Sequence, residues 1–140
     1  MSIDQIIDAN VNRAAEGLRV IEEYTRFVAG KKLFTDQLAL LRKKCHQLIP
    51  QDAKQLNGRD TNNDMRAKEV PPKRKDIRDV LVANFKRVQE SCRVLEEYTG
   101  QAGFNEIRYD CYQLEKEIVL RLCKKQIKFL RNFCVRYRNR

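Results

Sequence analysis

Two groups of polar residues in this sequence have types and spacings that bear on chemistry. The first occurs twice: Asn10, Arg13, Glu16, Arg19 and Glu23 recur at identical spacing as Asn84, Arg87, Glu90, Arg93 and Glu97. A site lined by both copies, or an oligomer interface, accounts for such a kept polar set. So does a recent duplication carrying surface ion pairs, in which Arg19 reaches Glu16 and Glu23 and Glu22 reaches Arg26, each pair contributing about 0.2–0.5 kcal/mol. The second group lies in Gly58-Arg59-Asp60-Thr61-Asn62-Asn63-Asp64, a stretch rich in carboxylate, amide and hydroxyl oxygens. Asp60 and Asp64 are suited to hold Mg²⁺ together with substrate phosphates, and Arg59 to reach a phosphate. The alternative is a solvated loop folded by local Asx-turns.

Other chemistries fall away. A calcium loop of the EF-hand type requires a D-x-D-x-D-G order and a closing Glu, both missing here. A single histidine, His46, argues against a zinc centre or a His-based nucleophilic triad. No G-x-x-x-x-G-K-[ST] segment is present, which excludes a phosphate cradle of the P-loop type.

The elements that position these residues are helical. Gly30, Pro50, Gly58, Pro71, Pro72, Gly100 and Gly103 separate four stretches, about 4–29, 32–49, 75–99 and 104–138. Apolar or neutral residues recur at 4-3-4-3 spacing in each, as in Ile7, Val11, Ala14, Leu18, Ile21, Thr25 and Val28. The stripe continues through Phe34 to Leu48, Leu81 to Thr99, and Ile107 to Ile118, then Cys123 to Tyr137. Sustained period-2 alternation is missing, so the class is all-α.

Residues 9–25 align without gaps on 83–99, with ten of seventeen positions identical. A second match pairs residues 41–48 with 107–114. Each half then reads as a helical hairpin, and two hairpins close into a four-helix bundle about a pseudo-twofold axis. The expected division is a single domain, 1–140, with repeat one at about 4–49, a connecting loop at 50–74, repeat two at about 75–118 and a basic helical extension at 119–140. Core positions changed between the repeats (Val11 to Phe85, Leu18 to Cys92) while the polar set did not.

Composition narrows the setting. No apolar run approaches the roughly 18 residues needed to cross a bilayer, and Met1 to Gln5 has neither the basic flank nor the apolar stretch of a signal peptide. Cys45, Cys92, Cys111, Cys123 and Cys134 are odd in number and lack C-x-x-C spacing. They read as buried thiols in a reducing, cytoplasmic compartment. The net charge of +10 points to an anionic partner, but it is unevenly placed. Eight basic residues lie after residue 120, and residues 1–120 carry 21 basic against 19 acidic side chains. The charge therefore marks a C-terminal stretch suited to an acidic partner.

The segments IDANVNRAAEGLRVIEEYTRFVAG, LRKKCHQL, GRDTNND, RKDIRDVLVANFKRVQESCRVLEEYTG and FNEIRYDCYQLEKEI resemble, in this order, a small helical family of thiamin biosynthesis. That family occurs alone or fused ahead of thiamine-phosphate synthase. The resemblance covers about residues 6–118 and implies ATP-dependent phosphorylation of hydroxymethylpyrimidine phosphate to the diphosphate, with Mg²⁺ and ATP. The synthase barrel is not expected, since the chain ends at Arg140.

The resemblance implies catalytic roles for Arg13, Glu16, Arg87, Glu90 and Asp60, and substrate or nucleotide binding by Asn10, Arg19, Asn84, Arg93, Arg59 and Asp64. Asp60 and Asp64 are the implied Mg²⁺ ligands. In the family loop, R-D-T-x-x-D-V-G, a glycine follows where this chain has Met65-Arg66. A glycine would let backbone approach a phosphate closely; Arg66 places a charge there instead.

The acceptor in that reaction is a phosphate oxygen, already ionised near neutral pH. No catalytic base is then needed, and positioning with charge neutralisation remains. Two other readings stand beside it: a basic helical module binding RNA or DNA, and a non-catalytic assembly partner of thiamin enzymes. An unbroken helix over 104–138 spans on the order of 50 Å and leaves Phe129, Leu130, Phe133 and Tyr137 beyond its partners, which predicts a homodimer.

Overall fold

A computed structural model describes residues 2–50 and 52–122. Among them every regular element is helical: α1 Ile3–Glu23, α2 Lys32–Leu48, α3 Ala53–Gly58, α4 Ile77–Thr99 and α5 Ala102–Glu117. Helix α1 continues into a wider π-helical turn, Tyr24–Val28, and α5 into another, Ile118–Leu122. The four long helices form the bundle, α1 packing on α2 and α4, and α5 on α4 and α2. The short α3 is an addition to the four helices expected, formed inside the connecting stretch and packed on α1. Asp52 starts it by accepting a hydrogen bond from the Gln55 N–H at 3.0 Å.

The ends of the elements follow from their residues. Asp76 caps α4 by accepting from the Asp79 N–H, while the Asp79 carboxylate accepts from the Lys75 N–H. Gly30 and Gly100, at φ 60° and 68°, supply the left-handed residues that end the first and third stretches.

The stripes read from periodicity form the core. Val11, Ala14, Leu18 and Ile21 of α1 pack with Leu38, Leu41 and Cys45, with Leu81, Phe85, Val88, Cys92 and Leu95, and with Ile107, Cys111 and Ile118. Val28, placed in the first stripe by its spacing, is exposed, because the π-helical turn rotates the end of that stripe away from the core. Thr25 is fully buried, and its hydroxyl is satisfied by donating to the Glu22 carbonyl and pairing with the Thr35 hydroxyl, both at 2.9 Å. Cys45, Cys92 and Cys111 are free, buried thiols. The hydrogen bond it donates to Cys45 and then burial hold the Cys92 thiol above its usual range, and burial does the same for Cys111. Cys123, Cys134 and the overhang of Phe129, Leu130, Phe133 and Tyr137 lie outside the described residues, as does most of the basic extension.

Matching positions of the two halves make matching contacts. Glu22 pairs with Arg42 (3.0 Å) and Arg19, and Arg19 also with Glu23; Glu96 pairs with Arg108 (3.2 Å) and Arg93, and Arg93 also with Glu97. Each network ties the two helices of its own hairpin together. Asn10 Nδ2 donates to the Ile6 carbonyl and Asn84 Nδ2 to the Val80 carbonyl, both at 2.8 Å.

The one glycine inside a periodic segment, Gly17, marks where α1 meets α4. A Cβ there would lie 2.8 Å from Val88 Cγ2 and 3.1 Å from the Asn84 carbonyl oxygen. Gly17→Ala is expected to destabilise the protein, because overpacking costs about 1–3 kcal/mol and outweighs the roughly 1 kcal/mol gained in helix propensity. A lowered urea midpoint at unchanged m-value checks this; an unchanged or raised midpoint contradicts it.

Candidate functional site

The first two turns of α1 face the stretch that follows α3, and the space between them is an open cleft of about 910 Å³. Two interactions hold its walls together. Gln5 Nε2 donates to the Gly58 carbonyl at 2.7 Å. Arg59 forms a fork on Asp8, Nε to Oδ2 and Nη2 to Oδ1, both at 2.8 Å. Asp8 is only 5% exposed, and the guanidinium supplies the charge that a buried carboxylate requires. The same pairing, through its hydrogen bond and then its charge, raises the Arg59 pKa above its ordinary value.

From Arg59 the chain folds by local turns. Asp60 accepts from the Asn63 side chain at 2.7 Å and from its N–H at 3.3 Å. Asp64 Oδ1 accepts from the Arg66 N–H at 3.0 Å. These are the Asx-turns expected of such a sequence, and both carboxylates nevertheless line the cleft. The Asn63 side chain holds the Asp60 carboxyl below its ordinary value, so it stays ionised.

The far wall comes from α4. Arg87 Nη2 meets Glu16 Oε2 at 3.1 Å across the α1–α4 contact. Arg13 lines the cleft as well and has no ion pair or hydrogen bond among the described residues. One arginine from each repeat therefore faces the same space, beside Asn10 and the loop carboxylates.

Of the residues singled out in the sequence, Asn10, Arg13, Glu16, Arg59, Asp60, Asp64 and Arg87 line this cleft. Asn84, Glu90, Arg19 and Arg93 do not. Arg19 and Arg93 belong to the ion-pair networks that join each hairpin, and Asn84 approaches Gly17 with its backbone. Arg59 reaches a carboxylate rather than open space, so its charge is already matched. Sequence reasoning missed Gln5, Asp8 and Asn12, and named Thr61 and Asn63 only as members of the polar loop. A signal for three of them was present: Gln5, Asp8 and Asn12 stand where the second repeat has Asp79, Val82 and Lys86. The repeat breaks where the cleft is built.

Among the described residues no group of three or more His, Cys, Asp or Glu could hold a metal ion. No helix among them is long and apolar enough to cross a membrane.

The ThiD2 family model matches residues 5–117. The chain is 37% identical over 128 residues to a thiamine-phosphate synthase of Synechocystis sp., covering 84% of this chain and 36% of that protein. It is 40% identical over 126 residues to a thiamine-phosphate synthase of Nostoc punctiforme, covering 82% and 35%. The corresponding protein of Rhodopirellula baltica is 37% identical over 136 residues, covering 84% and 34%. The chain thus spans about a third of the length of the curated relatives it matches. No solved structure matches it significantly.

The Asp60–Asn63 bond has a measurable consequence. Because the native pKa is depressed, its contribution to loop order is full above the ordinary value near 3.8 and is lost as pH falls through the lower native value. In Asn63→Ala, NMR titration should show Asp60 protonating at higher pH than in the parent; an unmoved midpoint would contradict the assignment.

Proposed function

Because the chain belongs to the ThiD2 family, a family of thiamin biosynthesis, we propose that it is a phosphotransferase converting hydroxymethylpyrimidine phosphate to the diphosphate at the expense of ATP. The observation that carries this reading is the convergence of Arg13 and Arg87 on one cleft whose opposite wall is the Asp60–Asp64 loop. Its volume of about 910 Å³ suits small-molecule ligands. The synthase activity named for the relatives is that of those longer proteins.

The chemistry asks little of proton transfer. The attacking oxygen belongs to the substrate's own phosphate, so the protein has to bring two polyanions together and neutralise their charge. Arg13 is available for this, and Glu16 fixes Arg87 at the α1–α4 junction by an ion pair. Planar guanidiniums such as these match phosphate oxygens bidentately. Asn10 is 6% exposed and its amide nitrogen is engaged with Ile6, which leaves its oxygen as an acceptor at the cleft wall.

Mg²⁺ characteristically takes one or two carboxylates and completes its shell with phosphates and water. Asp60 and Asp64 on the cleft-lining loop fit that demand, whereas Asp8 is matched by Arg59. Asp60 and Asp64 would hold the ion, which when bound neutralises phosphate charge.

Pure protein incubated with hydroxymethylpyrimidine phosphate, Mg²⁺ and ATP should yield ADP and the diphosphate. No turnover, with a known kinase active in the same assay, overturns the reading. Arg13→Ala and Arg87→Ala should each lower kcat/KM about 10–100-fold, the loss of one charge-assisted hydrogen bond of roughly 1.5–3 kcal/mol. Arg93→Ala, in the hairpin network, is the control; an equal loss there would move the site to the other face of α4.

A further inference from the structure

We propose that Asp8 is a positioning residue that confines ligand binding to the first half of the duplicated chain, so that each chain has one phosphate-binding cleft and not two. The inference rests on the phosphotransfer reading only for the identity of what the cleft holds. A duplicated Asn/Arg/Glu set would by itself suggest two equivalent sites, one on α1 and one on α4. The contacts around the two sets differ in kind.

On α1, Gln5 and Asp8 fasten the connecting loop through Gly58 and Arg59 at 2.7 and 2.8 Å. Among the described residues, the matching positions of α4 make contacts of another kind. The Asp79 carboxylate accepts from the Lys75 N–H at the helix start. Val82 packs against the core. Lys86, which stands where α1 has Asn12, reaches Glu115 of α5 at 3.2 Å and Gln89 at 3.1 Å. That ion pair ties α4 to α5.

The arginines complete the asymmetry. Arg13 and Arg87 are repeat equivalents, yet both line the one cleft beside α1 described above. A second cleft would need the same two side chains. Asp8 is the residue on which this depends, because its buried carboxylate places Arg59, and Arg59 directly precedes the Asp60–Asp64 segment. Both its oxygens are engaged by Arg59, so Asp8 acts through the loop and not on the ligand.

Isothermal titration of the full chain with inorganic triphosphate and Mg²⁺ tests this. The expected stoichiometry is one per chain. Asp8→Asn and Arg59→Ala should each weaken binding about tenfold and speed tryptic cleavage at Arg66 and Lys68, with circular dichroism of the bundle unchanged. The double variant should lose no more than either single one, since the pair acts as a unit. Two ligands per chain, no binding by the parent protein, undiminished affinity in Asp8→Asn, or single losses that multiply would each overturn the proposal. Should Asp8→Asn fail to fold, Arg59→Ala alone decides: weaker binding without faster loop cleavage overturns it. One-to-one binding without turnover would sink the phosphotransfer reading and leave this inference standing. Turnover at two ligands per chain would do the reverse.

Discussion

The packing of α1 against α4 is the constraint on which the rest of the molecule depends. It joins the two hairpins through their equivalent first helices, and it requires Gly17, because any side chain there would meet Val88 and the Asn84 backbone. Close approach at that point brings Arg87 of one repeat within 3.1 Å of Glu16 of the other. A cleft beside α1 thereby acquires a cation from α4, which neither hairpin could supply alone.

Ion pairs outside the cleft hold the hairpins that this contact joins. Glu22, 6% exposed, takes Arg42 from α2, and Glu96 takes Arg108 from α5 in the same way. Arg19 and Arg93 brace these carboxylates from the solvent side. The polar residues kept between the repeats therefore divide by function. Those at the end of each helix pair fix the shape of its own hairpin, while Asn10, Arg13, Glu16 and Arg87 surround the cleft. Of the ion pairs expected from spacing, Arg19–Glu23 forms, whereas Glu16 pairs with Arg87 and Glu22 with Arg42 and Arg19, because helix packing offers these partners.

The connecting stretch shows how an exposed segment is given a defined place without a core of its own. Its residues are exposed from Arg59 onward, and it buries almost nothing apolar. Its start is instead anchored by two side chains of α1, one of them a buried carboxylate whose charge Arg59 matches. The anchor lies at the beginning of the loop, so Asp60 and Asp64 inherit their position from it through a few bonds.

Helical periodicity was enough to identify nearly all of the core, since burial of a stripe on a helix is a local property of spacing and residue type. Val11, Leu18, Leu38, Cys45, Phe85, Cys92 and Cys111 are buried as their spacing implied. The duplication, the hairpin pairing and the polar composition of the loop were equally legible. Glycine and proline located the breaks, though not α3, whose six residues are too few for a periodic signal. What required the folded chain was the sorting of identical repeats into unequal roles. Arg13 and Arg93 look alike in the sequence, and only one lines the cleft. Asp8 looked like an ordinary early-helix acid until Arg59, 51 residues away, was seen to close on it. Such assignments depend on which surfaces of two helices face one another and on where a loop returns, and those are set by long-range packing that local spacing does not encode.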